Sequence, residues 1–130
     1  IKFFSNYKII FYSLNIFLII LYLFPGSLVG WLIYGNKKIQ PQITPDFIIS
    51  SNHFYVFILI SVIGFLSFKN QNQFKNLIVY LVSLSLILEI FHLFIPERSF
   101  QLSDLFGNFL GVIVVIFVRK LINKYGVSKK

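Results

Sequence analysis

The chain has no cysteine, no methionine and no alanine, and only four carboxylates: Asp46, Glu89, Glu97 and Asp104. Without cysteine there is no disulfide, no thiolate metal site and no Cys nucleophile, and the redox compartment leaves no mark. Charged residues make up 12% of the chain, about half the share in soluble domains. Histidine is limited to His53 and His92. There is no glycine-rich phosphate loop, no H-E-x-x-H and no serine in a nucleophile elbow. No repeat or low-complexity segment stands out.

What is there is apolar. At 130 residues the chain is one domain, 57% hydrophobic, with a mean hydropathy of +0.81. A soluble fold of this size would expose much of that surface to water, so a membrane protein is the economical reading. The net charge of +8 does not point to nucleic acid. The lysines and arginines lie between apolar blocks and at the C-terminus, as suits loop retention and anionic lipid.

Four apolar runs predict four membrane helices, at about residues 9–24, 53–68, 76–95 and 104–118. Pro25-Gly26 breaks the first, and Ser27 to Tyr34 continues apolar with Trp31 and Tyr34 suited to the interface. Gly35 to Asn52 is the longest polar connection, with Pro41 and Pro45 opposing a helix. Lys69 to Lys75 reads as a polar turn and Arg119 to Lys130 as a basic tail. The expected fold is an all-α integral membrane four-helix bundle. Nine cations fall in the head, the second loop and the tail: Lys2, Lys8, Lys69, Lys75, Arg119, Lys120, Lys124, Lys129 and Lys130. Only Lys37, Lys38 and Arg98 fall on the other side. The positive-inside rule therefore places both termini in the cytoplasm.

Polar chemistry gathers between Glu89 and Gly111. Ser85, Glu89 and His92 form one stripe on the third helix; Asp104, Asn108 and Gly111 form another on the fourth. With Pro96 as the helix end, Glu89 would lie about 10 Å below it, where a carboxylate must be paired, hydrated or protonated. The two stripes are expected face to face, with Asn108 bonded to Glu89 or His92. Ser103 or Asp104 would cap the fourth helix, and Gly107 and Gly111 would let helices approach closely. Arg98 either reaches over this pair, pairs with Glu97, Asp104 or lipid phosphate, or grips an anion through a bidentate fork. His53 lies at a similar level. Glu89 and His92 suit a packing clamp, a substrate-facing pair or a general acid/base couple, but no reaction is named and an enzyme is not the expectation. Glu89-x-x-His92 has the spacing of a bundle metal motif. Only His53 and Asp104 could add to it, so no metal and no cofactor is expected.

Glu89, His92, Pro96, Arg98, Asp104, Asn108 and Gly111 together resemble the signature of the VanZ-like family of small bacterial membrane proteins. That signature runs Glu, Gln, Pro-x-Arg, Asp, Asn, Gly at this spacing. His53 with Phe57 resembles the family's other landmark, a His followed four residues on by an aromatic. The resemblance covers roughly Phe24 to Val118. His92 stands where the family has Gln, Ser50, Ser51 and Asn52 where Asp-Lys often precedes the His, and Val115 where a second glycine is expected. The resemblance implies a single transmembrane domain in a bacterial inner membrane and a link to teicoplanin sensitivity. The convergence of polar groups at one depth makes His53, Glu89, His92, Arg98, Asp104 and Asn108 the expected ligand site. The expected ligand is a lipid-linked or phosphate-bearing envelope component at the outer face, with membrane lipids as the surrounding partners. A membrane enzyme using Glu89 and His92, or an assembly factor, are the alternatives.

Overall fold

A computed structural model describes residues 2–46, 48–68, 70–96 and 98–125; Lys69, Glu97, Lys129 and Lys130 lie outside them. Among the described residues the chain is all-helical: α1 (Lys2–Leu23), α2 (Leu28–Tyr34), α3 (Ser51–Ser67), α4 (Gln71–Phe91) and α5 (Leu102–Tyr125). α4 and α5 are long and apolar enough to cross a membrane. α1 and α2 make a third such element if taken together, bent by 83° at the break between them. α3 is apolar but shorter, at 17 residues.

The helices pair through apolar stripes at helical spacing. Phe11, Asn15, Leu18 and Tyr22 are buried on α1, and Phe57, Ile60, Ser61 and Gly64 on α3. Leu77, Leu81, Leu84 and Leu88 line α4, and Leu105, Asn108, Val112 and Val115 line α5. The α1, α4 and α5 sets step by three or four residues, and the α3 set follows the i, i+3, i+4, i+7 pattern, so each keeps to one face. α3 is central, with α5 packed most closely on it and α1 against another side, while α4 leans on α5. The distribution is inverted relative to a soluble protein. Asn15, Ser61, Ser85, Glu89, His92 and Asn108 are inside, while Ile16, Phe17, Ile20, Val79, Ile113 and Phe117 face out. Polar groups gathered within and large apolar side chains turned outward suit a lipid surround.

Small residues set the closest approach. A Cβ on Gly107 would lie 2.8 Å from the Ser50 carbonyl oxygen, and one on Gly111 2.7 Å from that of Phe54. The two glycines therefore seat α5 on α3, the helix that carries His53. Deeper in the fold, Asn15 Nδ2 donates to the Phe11 carbonyl (2.8 Å) and Asn15 Oδ1 accepts from the Tyr80 hydroxyl, tying α1 to α4.

Helix limits depart from the apolar runs where side chains decide them. The polar turn shrinks, because Asn70 caps α4 by accepting from the Asn72 N–H (2.8 Å), which draws most of the Lys69 to Lys75 stretch into helix. α4 stops at Phe91, four residues before Ile95. The N–H groups of His92, Leu93 and Phe94 turn to carbonyls three residues back, a tightened last turn ahead of Pro96, which disfavours helix at the residue before it. α5 continues past Val118 through the basic segment to Tyr125, with the Arg119 guanidinium 3.8 Å from the Phe74 ring centroid.

Candidate functional site

One end of the bundle holds the polar residues. α1 ends there at Pro25-Gly26, where Gly26 takes φ 83°, a left-handed conformation that glycine adopts without strain. The chain then turns through α2 and the 36–50 connection. That connection is pinned to the start of α3: Asp46 Oδ1 accepts from the Ser51 N–H (3.0 Å), Ser51 Oγ donates to the Thr44 carbonyl (2.7 Å) and Asn52 Nδ2 to that of Pro41 (2.7 Å). Ser51 and Asn52 thus serve the loop, and His53 follows on the first turn of α3.

Glu89 and His92 are sealed, at 0% and 1% exposure. Because α4 ends at Phe91, Glu89 sits in its last turn, nearer the helix end than a helix running to Pro96 would place it. His92 Nε2–H donates to the Tyr22 carbonyl (2.9 Å), since a carbonyl only accepts. His92 Nδ1 lies 3.3 Å from Glu89 Oε1, and that oxygen also accepts from the Gln101 N–H (3.2 Å). The pair thus joins α4 to α1 and to the start of α5. Ser85, the third member of that stripe, donates instead to the Val82 carbonyl of its own helix (2.8 Å).

Asn108 does not meet this pair. Packing through Gly107 and Gly111 turns its face of α5 toward α3 and α1. Its Oδ1 accepts from the Tyr22 hydroxyl (3.0 Å) and lies 3.1 Å from His53 Nδ1. The Tyr22 oxygen is also 3.0 Å from His53 Nδ1. Tyr22 has one proton to give, so the arrangement satisfying all three atoms places a proton on His53 Nδ1. His53 Nε2 then faces Asp104 Oδ2 at 3.7 Å. Asp104 does not cap α5; the N–H groups of residues 104 and 105 go to the Gln101 carbonyl.

Arg98 reaches back to α1. Its Nη2 donates to the Leu21 carbonyl (2.7 Å) and its Nε to that of Phe24 (3.1 Å). Burial lowers the guanidinium below the ordinary arginine value, while Tyr22, Asp104 and Glu89 pull it back up; arginine stays charged throughout. Glu97, one of the partners expected for it, lies outside the described residues.

These groups border one cavity of about 840 Å³, lined among others by Lys37, Lys38, Asp46, His53, His92, Arg98 and Asp104. His53, His92, Arg98 and Asp104 reach its wall, whereas Glu89 and Asn108 stand behind it. Tyr22 is the central residue that the sequence did not single out: it touches His53, Asn108 and, through its carbonyl, His92. Its signal was a hydroxyl-bearing aromatic at the C-terminal end of an apolar run. No protein-family model matches the chain, and no curated protein or solved structure matches it.

Proposed function

We propose that the protein is a four-crossing membrane protein of the VanZ-like type, with both termini in the cytoplasm and a cavity at the outer face that binds an anionic cell-envelope component. The observation that carries this reading is a convergence. Lys37, Lys38 and Arg98, the three cations that charge asymmetry assigns to the outer side, all line the same cavity. Two of them come from the first connection and one from the third, so the fold gathers them from distant parts of the chain. The guanidinium, its Nε and Nη2 already donating to the Phe24 and Leu21 carbonyls, acts with the two ammonium groups as positive charge suited to a phosphate-bearing headgroup, and His53 and Asp104 at the wall orient it. Glu89 and Asn108 act as the scaffold behind the wall, and the almost complete burial of the Glu89–His92 pair favours binding over acid/base chemistry.

The test uses the full chain in nanodiscs and a polyprenyl monophosphate, read by native mass spectrometry. The triple variant Lys37→Ala, Lys38→Ala, Arg98→Ala is expected to lose the bound lipid. The same variant, expressed at the wild-type level in a glycopeptide-susceptible bacterium, is expected to lose any shift in teicoplanin sensitivity. Equal lipid retention by wild type and variant would remove the proposal.

A further inference from the structure

We propose that His53, Glu89 and Asp104 form a binding site for a first-row divalent cation of the Mn²⁺ or Zn²⁺ class. One ligand atom from each, drawn from α3, α4 and α5, lies within 4.8 Å of the others. The set shares only Glu89 with the Glu89-x-x-His92 motif, because His92 is turned away to the Tyr22 carbonyl. The inference stands on ligand geometry and does not depend on the anion reading.

Three further observations point to a cation. First, Glu89 Oε2 is fully buried and has no hydrogen-bond partner among the described residues. A buried carboxylate oxygen left bare is costly, and a cation at this cluster would satisfy it. Second, the supporting bonds are those of a ligand shell. His53 Nδ1–H is held by Asn108 Oδ1 and the Tyr22 oxygen, which directs the Nε2 lone pair toward Asp104. Glu89 Oε1 is fixed by the Gln101 N–H and by His92. Metal-binding histidines and carboxylates are oriented in this way by their outer partners. Third, the cluster has an approach route, since His53 and Asp104 also line the cavity.

The chemistry selects the class. Two carboxylates neutralise a divalent ion, so the loaded site adds no net charge to the bundle interior. One imidazole with two carboxylates suits borderline N/O-binding ions over soft Cu(I) or all-oxygen Ca²⁺. Such ions sit about 2.0–2.2 Å from each donor, which holds donors within about 4.4 Å of each other. The His53–Asp104 distance of 3.7 Å already meets this, and the cluster as a whole spans at most 4.8 Å. Three protein ligands leave an open coordination position toward the cavity.

The test uses the full chain, freed of any purification tag, in nanodiscs after chelator treatment. Mn²⁺ is titrated and followed by electron paramagnetic resonance, with Zn²⁺ as competitor. We expect about one ion per chain, displaced by Zn²⁺, and spin-echo modulation from one imidazole nitrogen. The modulation should vanish in His53→Gln and persist in His92→Gln. Asp104→Asn, which keeps the shape of the side chain, should weaken binding by at least about tenfold. A folded wild type that binds neither Mn²⁺ nor Zn²⁺ overturns the site. So does bound Mn²⁺ without imidazole coupling, coupling that survives His53→Gln, or unchanged affinity in folded Asp104→Asn. Should a variant fail to fold, the nitrogen coupling and stoichiometry of the wild type decide alone.

Discussion

Pro25 has no N–H, so the Leu21 carbonyl four residues earlier lacks its helical partner. Arg98 supplies the missing donor through Nη2 and takes the Phe24 carbonyl through Nε. Arg98→Ala removes both bonds and the positive charge at the end of α1. A hydrogen bond from a charged group contributes about 1.5–3 kcal/mol in soluble proteins, and interhelical bonds in a bilayer average about 0.6 kcal/mol. At a partly buried membrane boundary, two such bonds give an expected cost of about 2–4 kcal/mol. The decisive measurement is a double-mutant cycle. Pro25→Ala restores a backbone donor to Leu21, so Arg98→Ala should cost about 1–2 kcal/mol less in that background. The assay is equilibrium unfolding by SDS in mixed micelles, followed by the fluorescence of Trp31. Trp31 is the sole tryptophan and lies against Phe24, with ring centroids 6.2 Å apart. Costs that add to within about 0.5 kcal/mol would refute the idea that Arg98 replaces the bond Pro25 forgoes.

The glycines separate space from conformation. Gly107→Ala and Gly111→Ala meet backbone oxygen at 2.8 and 2.7 Å, so each should lower stability by about 1–3 kcal/mol in the same unfolding assay. Gly35→Ala points into open space at φ 67° and should cost only about 1 kcal/mol; the opposite ranking would count against the α3–α5 contact. His92→Gln keeps an amide for the Tyr22 carbonyl or Glu89 and should fold to near-normal yield. His92→Leu leaves both groups short of a partner and should lose about 1–3 kcal/mol; equal behaviour of the two variants argues against the clamp.

Helical content was legible because long apolar runs without breakers have few other solutions, and the break at Pro25-Gly26 was read from the two residues that cause it. The end of α4 was not legible. Pro96 marks where helix cannot continue, but the chain tightens at His92, where side-chain bonds to Tyr22 and Glu89 compete with regular helix. The site residues were legible as scarce polar groups on apolar helices, yet their pairing was not. Spacing puts Asp104, Asn108 and Gly111 on one face without saying which helix that face meets. Close approach through Gly107 and Gly111 answers that, choosing α3 over the neighbour in sequence. Tyr22 was hidden because a tyrosine near a membrane boundary is ordinary until its hydroxyl is seen between His53 and Asn108.

The shortness of α3 has a consequence for the surrounding lipid. Seventeen residues reach about 26 Å, against a hydrocarbon core of about 30 Å, and the pinned 36–50 connection fixes where the helix begins. In the four-crossing reading, the bilayer thins beside α3 to match it. Thinning on the outer side would lower the leaflet's phosphate plane toward the cavity rim. A headgroup would then arrive at Lys37, Lys38 and Arg98 with its tails still in lipid, so hydrophobic mismatch itself would help to present the ligand.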